Sequence, residues 1–198
     1  MDIILIIFIF VLVCIICVLY FKVAYTDMTY VKSNIDDQYY LVRNENDKLE
    51  AANTLAKIKQ NILMLSNDLY SHRKEPENIK YIDYITRLYE RAPNIIIIES
   101  TKDSQYTSYS INKGEQIVFC LRKKILPNNI HDINLMMYVV LHEISHVACP
   151  IYDNHGPLFR EIFNFITRYA MKLNIYTKID FSLEPVNYCG LLITDSIV

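Results

Sequence analysis

The stretch HEISHVACPIYDNHGPLF, residues 142–159, determines how the second half of the chain is expected to fold. Apolar residues recur at helical spacing ahead of it and Asp132 suits an N-cap, so a helix is predicted over residues 135–148. Pro150 ends that helix, and Gly156-Pro157 begins another helix at its first turn. The chain therefore reverses direction between two helices, and the polar residues of the stretch lie at that reversal.

Two histidines of this stretch have the spacing of metal ligands. His142 and His146 are four residues apart, so on a helix both imidazoles face the same side and can bind one ion. Zinc suits neutral imidazole ligands, and Glu143 lies beside the ion, where it can take a proton from a bound water. His72 and His131 have no such partner spacing and are interpreted as surface residues.

A catalytic zinc needs a third protein ligand and one open position. His155 is the leading candidate, because the adjacent Gly-Pro pair allows the chain to fold back under the first helix. Glu161 on the next helix, Asp153 and Cys149 remain as alternatives.

Composition excludes several classes of function. The chain has 198 residues, only three glycines and a formal net charge of −2. Three glycines at these positions cannot form either of the glycine-rich phosphate-binding loops. The near-neutral charge argues against binding nucleic acid by bulk electrostatics, so no direct nucleic-acid binding is expected.

The cysteines do not form an obvious disulfide framework. There are five; Cys14 and Cys17 lie in an apolar run, and Cys120, Cys149 and Cys189 are scattered singly. An odd number at such spacing predicts unpaired thiols in a reducing compartment.

The N-terminus contains an unbroken apolar run of 19 residues, Ile3–Phe21. At about 1.5 Å per residue a helix of this length spans roughly 28 Å, which predicts a transmembrane anchor that contacts the membrane through residues 3–21. Asp2 and the absence of small residues at the exit argue against a cleaved signal peptide. Lys22 and Lys32 follow the run, so the positive-inside rule places the domain in the cytoplasm, as part of a single-pass membrane protein.

The rest of the chain predicts an α+β domain. Residues 1–22 are the predicted anchor, 23–45 a juxtamembrane linker, and 46–198 a helical lead-in followed by the main domain. Two helices are expected first: one starts at a capping box formed by Asp47 and Glu50 and runs to Tyr70, and the other runs from Glu75 to Pro93. They are followed by a strand over 94–99 and a hairpin of 106–111 with 116–122. After the helix that carries the two histidines, a further helix starts at Pro157, and the tail from Tyr176 is expected to be irregular.

Residues 142–159 resemble the SprT/WLM superfamily of small zinc metallopeptidases, whose members pair H-E-x-x-H with a nearby histidine, often within H-G-P-x-F. The segments SYSINKGEQIVFCLR, residues 108–122, and PVNYCG, residues 185–190, are similar to a version of this family encoded by large DNA viruses. The resemblance covers about residues 75–190. It implies a zincin-like minimal domain, with a small sheet, an active-site helix and flanking helices. It also implies His142, His146 and His155 as zinc ligands and Glu143 as general base.

The sequence departs from the family in two respects. The loop between the second and third histidines is longer than in many members, and no ubiquitin-, SUMO- or DNA-binding extension is recognisable. The family's role in cleaving DNA–protein crosslinks is therefore not carried over.

Two functions are predicted for the chain. The first is a membrane-anchored zinc metallopeptidase that acts on a protein or peptide substrate, with Tyr188 as a possible oxyanion donor and 117–121 as the edge strand above the cleft. The second is a zinc-bound, non-proteolytic component of a membrane or virion.

Overall fold

A computed structural model describes residues 3–112, 114–124, 129–150 and 155–198, including the side chains of residues 5–21 in the first helix. The described residues form an α+β structure with five α-helices, two 3₁₀ turns and seven short strands. In chain order the elements are α1 Ile3–Thr26, β1 Met28–Lys32, β2 Tyr39–Arg43, α2 Lys48–Ser71, a 3₁₀ turn Ile79–Tyr81, α3 Ile82–Arg91, a 3₁₀ turn Ala92–Asn94, β3 Ile96–Glu99, β4 Tyr109–Ile111, β5 Gln116–Phe119, α4 Ile133–Ala148, α5 Pro157–Lys172, β6 Val186–Tyr188 and β7 Leu191–Ile193.

Helix α4 is the central element of the core. Its residues from Leu135 to Leu141 are all buried, and it packs against α5, α3 and α2. The predicted apolar stripe of α2 is confirmed, since Leu55, Ile58, Ile62, Leu65 and Leu69 are fully buried. Burying one such side chain contributes roughly 1.5–3 kcal/mol, so this stripe holds α2 firmly against the domain.

The central sheet has the strand order β3-β5-β4, with β3 parallel and β4 antiparallel to β5. The hairpin of β4 and β5 is confirmed. Gly114 in its turn has a φ of +99°, and a Cβ there would lie 2.5 Å from a methyl group of Val147 on α4. The prediction that 117–121 is an edge strand is wrong, because β5 lies between two partners and β4 occupies the edge.

The predicted juxtamembrane linker and the tail predicted to be irregular each contain a small hairpin. Strands β1 and β2 pair within the predicted linker 23–45, and β2 packs against α2 and β3. Strands β6 and β7 pair within the tail, with Tyr188 opposite Leu191. These short strands depend on contacts with the rest of the domain, since a lone two-stranded hairpin is only marginally stable.

The prediction of a membrane anchor is contradicted. Residues 5–21 of α1 carry exposed apolar side chains. In the described part of the chain, no helix combines the length and the apolar character that crossing a membrane requires. The assignment as a single-pass membrane protein with a cytoplasmic domain, and the membrane contact through residues 3–21, are therefore not upheld.

A buried ionic cluster joins the sheet to α2. Arg122, which follows β5, forms salt bridges with Glu99 at the end of β3 and with Asp47, where the Nη2–Oδ1 distance is 2.6 Å. The backbone N–H of Arg43 donates to Glu99 at 2.7 Å, and the Arg43 guanidinium donates to the Ser100 carbonyl at 2.9 Å. Asp47 therefore does not cap α2 with its side chain as the capping box predicted, because its carboxylate binds Arg122 instead.

The cysteine prediction is wrong for one pair. Cys120 and Cys189 form a disulfide across 69 residues of sequence, while Cys149 is buried at the end of α4 and is not part of this bond. Both paired residues are almost completely buried, so the bond ties the end of β5 to the turn between β6 and β7. Because disulfides persist mainly in oxidising environments, the argument for a reducing compartment no longer holds.

The disulfide should stabilise the fold measurably. In the chain-entropy account, closing a loop of this length stabilises a protein by about 4 kcal/mol. We expect the free energy of unfolding, measured in urea, to be lower by this amount in a Cys120→Ala/Cys189→Ala variant. Dithiothreitol should lower the unfolding midpoint of the wild type to that of the variant. Cys149→Ala is the control for loss of a buried cysteine side chain outside this bond. Equal stability of the wild type with and without reductant would contradict the prediction.

The ionic cluster should be far more sensitive to mutation than an exposed salt bridge. Replacing Glu99 with alanine removes the buried carboxylate that pairs with the guanidinium groups of Arg122 and Arg43, which should destabilise the protein by about 3–5 kcal/mol. The matched control is Glu77→Ala, which breaks the exposed 2.9 Å pair with Lys172. Its unfolding midpoint should stay at the wild-type value, because exposed pairs contribute little. Similar losses in the two variants would show that the cluster is not a structural determinant.

Candidate metal centre

Two helices and the turn before the second bring three imidazoles together. Asp132 caps α4 by accepting from the backbone N–H groups of Asn134 and Leu135, as predicted. From this start α4 presents His142 and His146 on one face. His155 lies just ahead of α5, whose Phe159 contacts all three rings at centroid distances of 4.2–5.1 Å. This aromatic packing holds the imidazoles in one orientation.

The three imidazoles converge through their Nε2 atoms. The Nε2–Nε2 distances are 3.2 Å between His142 and His146, 3.0 Å between His146 and His155, and 3.2 Å between His155 and His142. Nitrogens bound to one zinc at about 2.0–2.1 Å and at tetrahedral angles lie roughly 3.3 Å apart. The donor set therefore fits a zinc ion.

Two of the three alternative third ligands do not join this cluster. The Glu161 carboxylate on α5 binds Lys80 and accepts from the Tyr81 hydroxyl at 3.1 Å, so it is engaged elsewhere. Cys149 is buried at the end of α4 and is not part of the metal-ligand group found in the described residues. Asp153 lies outside the described residues. The geometry thus favours His155 among the candidates that can be compared.

Glu143 lies at the same site and has the properties of a proton acceptor. Only 5% of its surface is exposed, and this burial raises the pKa of its carboxyl group to about 7. Burial also lowers the pKa of His142 to about 4, with a smaller contribution from His155. The imidazole of His142 is therefore neutral near pH 7, the form that binds a metal.

A cavity of about 460 Å³ opens over these residues. It is lined by the three histidines, Glu143, and a run of residues along strand β4, namely Ser108, Tyr109, Ser110 and Asn112. The buried Ser110 hydroxyl has no hydrogen-bond partner among the described residues. Sequence reasoning missed these β4 residues, because short polar residues in a hairpin carry no recognisable signal of function.

Tyr188 is brought to the edge of the site, although its role stays a prediction. Its hydroxyl lies 2.7 Å from that of Ser108, which also accepts from the Cys120 N–H at 3.2 Å. Burial raises the pKa of Tyr188 above its ordinary value, so the hydroxyl keeps its proton at neutral pH. Ser108 is less buried than Tyr188 and lines this cavity, whereas Tyr188 is not among the residues that line it.

The two remaining histidines have different environments. His72 is exposed, as predicted, at the C-terminal end of α2. The prediction of a surface position is wrong for His131, which is 4% exposed and packs against Tyr188 with ring centroids 4.9 Å apart. Burial lowers the pKa of His131 to about 4, so it supports Tyr188 as a neutral ring.

Each of the three histidines should be required for metal binding. We expect the full-length protein to hold about one zinc ion per chain, and single His142→Ala, His146→Ala and His155→Ala variants to lose zinc and thermal stability together. Elemental analysis and thermal unfolding measure the two effects, with His72→Ala as the control. Full zinc occupancy in His155→Ala would show that another residue is the third ligand.

Comparison with known proteins places the chain among viral proteins. No model of a known protein family matches the sequence, and no solved structure matches the fold. The sequence is 39% identical over 189 residues to the uncharacterized protein R325 of Acanthamoeba polyphaga mimivirus, covering 94% of each chain. It is 30% identical over 136 residues to the uncharacterized protein 136R of Invertebrate iridescent virus 6, covering 68% of this chain and 70% of that one. The chain therefore belongs to the family of viral proteins that includes R325 and 136R.

Proposed function

We propose that this protein is a zinc-dependent peptidase of the SprT/WLM-like type. The observation that carries the proposal is the convergence of three histidine Nε2 atoms beside a buried carboxylate at the base of one cavity. Three neutral nitrogen ligands leave one position of a tetrahedral ion open, as a catalytic rather than a structural site requires. A purely structural site would be closed by a fourth protein ligand, and the described residues supply only three.

The ion and the protein have separate tasks in this proposal. Zinc, when bound, acts as a Lewis acid that polarises a carbonyl and makes water more acidic. Glu143 accepts the proton of the attacking water and returns it to the leaving amine. A carboxyl pKa of about 7 suits both transfers, because the group can be charged or neutral near neutral pH.

Strand β4 is suited to hold an extended peptide. It pairs with β5 along one edge and has no strand partner on the other edge within the described residues. Backbone groups on an open edge can pair with a substrate strand, which supplies affinity without requiring a particular sequence. Tyr109 and Ser110 of β4 line the cavity, so a peptide added here would pass directly over the histidines. Ser110 could then donate its unpartnered hydroxyl to the substrate.

Replacing Glu143 separates a catalyst from a zinc-binding scaffold. Glu143→Gln keeps the shape of the side chain but removes the base, so activity should fall by about 10²–10⁴-fold while zinc content stays near the wild-type level. The measurements are cleavage of unfolded protein substrates and elemental analysis. Glu161→Gln, which alters a carboxylate outside the metal cluster, is the control and should retain both activity and zinc.

Two results would count against the proposal. Cleavage by Glu143→Gln at the wild-type rate would identify another group as the base. A folded, zinc-loaded wild type that cleaves none of the substrates would favour the alternative of a non-proteolytic, zinc-bound virion component.

A further inference from the structure

A second cavity of about 500 Å³ lies beside the first and shares part of its lining. Ser108, His142, Glu143 and His155 contribute to both cavities. A substrate group bound in the second cavity would therefore be next to the peptide bond that is cut at the histidines. Its volume is within the range of about 300–1,000 Å³ found for small-ligand pockets.

Apolar side chains form a large part of the wall of this second cavity. Helix α4 contributes Val139, one helical turn before His142, and the C-terminal hairpin contributes Leu191 and Ile193 of β7. Tyr188 supports the hairpin from within, and its ring is buried between the cavity and His131. The disulfide at Cys189 fixes the turn of this hairpin to the end of β5, so the apolar wall is held in place before any ligand binds.

The charges around the cavity favour an uncharged occupant. No lysine or arginine is among the described residues that line it, and Asp195 contributes a carboxylate at its exposed side. An acidic side chain would lose its hydration there without gaining an ion pair, which is costly. A large apolar side chain loses nothing and gains the free energy of burial.

We propose that this cavity receives a bulky, uncharged apolar side chain of the peptide substrate, next to the bond that is cut. The inference rests on the proposed peptidase function and narrows its substrate class to peptides with residues such as leucine or phenylalanine at that position. The C-terminal hairpin is then a specificity element, and Leu191 is its determining residue.

Cleavage-site profiling tests the preference directly. The full-length, zinc-loaded protein is incubated with a peptide mixture, and the cut sites are identified by mass spectrometry. Because a missing methylene in an apolar pocket changes kcat/KM by roughly 10–200-fold, leucine or phenylalanine should be favoured over alanine by at least about tenfold. Cut sites with no apolar preference, or with a preference for lysine and arginine, would overturn the inference.

Two neighbouring substitutions separate the cavity wall from the outer face of the same strand. Leu191 and Leu192 are 53% and 56% exposed, and only Leu191 lines the cavity. Leu191→Arg should lower kcat/KM for apolar peptides at least about tenfold and raise the relative cleavage of glutamate-containing peptides. Leu192→Arg should leave both unchanged. Equal effects of the two substitutions would contradict the assignment.

A binding measurement keeps this inference distinct from the proposed function. In the Glu143→Gln background, fluorescence anisotropy with labelled peptides should show tighter binding of leucine than of glutamate peptides, and added Leu191→Arg should reverse the order. If the wild type cuts nothing but this binding order holds, the peptidase proposal fails and the apolar cavity stands. If cleavage occurs but neither cleavage nor binding depends on the apolar side chain, only the inference about the cavity fails.

Discussion

The arrangement of the domain depends on the salt bridges that the buried guanidinium of Arg122 forms. It binds the carboxylates of Glu99 and Asp47, and thereby fixes the sheet against the first turn of α2. The backbone at Arg122 also forms an isolated bridge with Ile130, and the next N–H, that of His131, donates to the Leu121 carbonyl at 2.8 Å. The chain thus leaves the ionic cluster in the direction that starts α4 at Asp132. The ionic cluster therefore helps to position α4, the helix that carries two of the three candidate metal ligands.

The histidine cluster and the helices that carry it could be predicted from sequence because their determinants are local. The spacing of His142 and His146, the Asp132 cap and the Pro157 start each act within a few residues, and all three appear in the structure. His155 could be ranked first for the same reason, since it directly precedes a helix. The residues that form the wall of the cavity opposite α4 could not be predicted.

That wall could not be predicted because it is built from distant contacts. Periodicity shows that two strands form a hairpin, but it does not show which of them pairs with β3. The prediction that β5 is the edge strand is wrong for this reason, since β5 pairs with β3 and β4 lies at the edge. The pairing of Cys120 with Cys189 depends on residues 69 apart, and single cysteines give no signal of it. The predicted surface position of His131 is wrong for a similar reason. Its ring contacts Tyr188 and Cys189, which are more than 50 residues away in the sequence.

The Cys120–Cys189 bond also gives the chain a closed covalent ring. Helices α4 and α5, the three histidines and Glu143 all lie between the two cysteines, so the complete candidate metal site is inside that ring. A single backbone cut anywhere within it would open the ring without releasing a fragment. A molecule nicked by itself or by another peptidase would keep its full mass until the disulfide is reduced, and only then separate into two pieces.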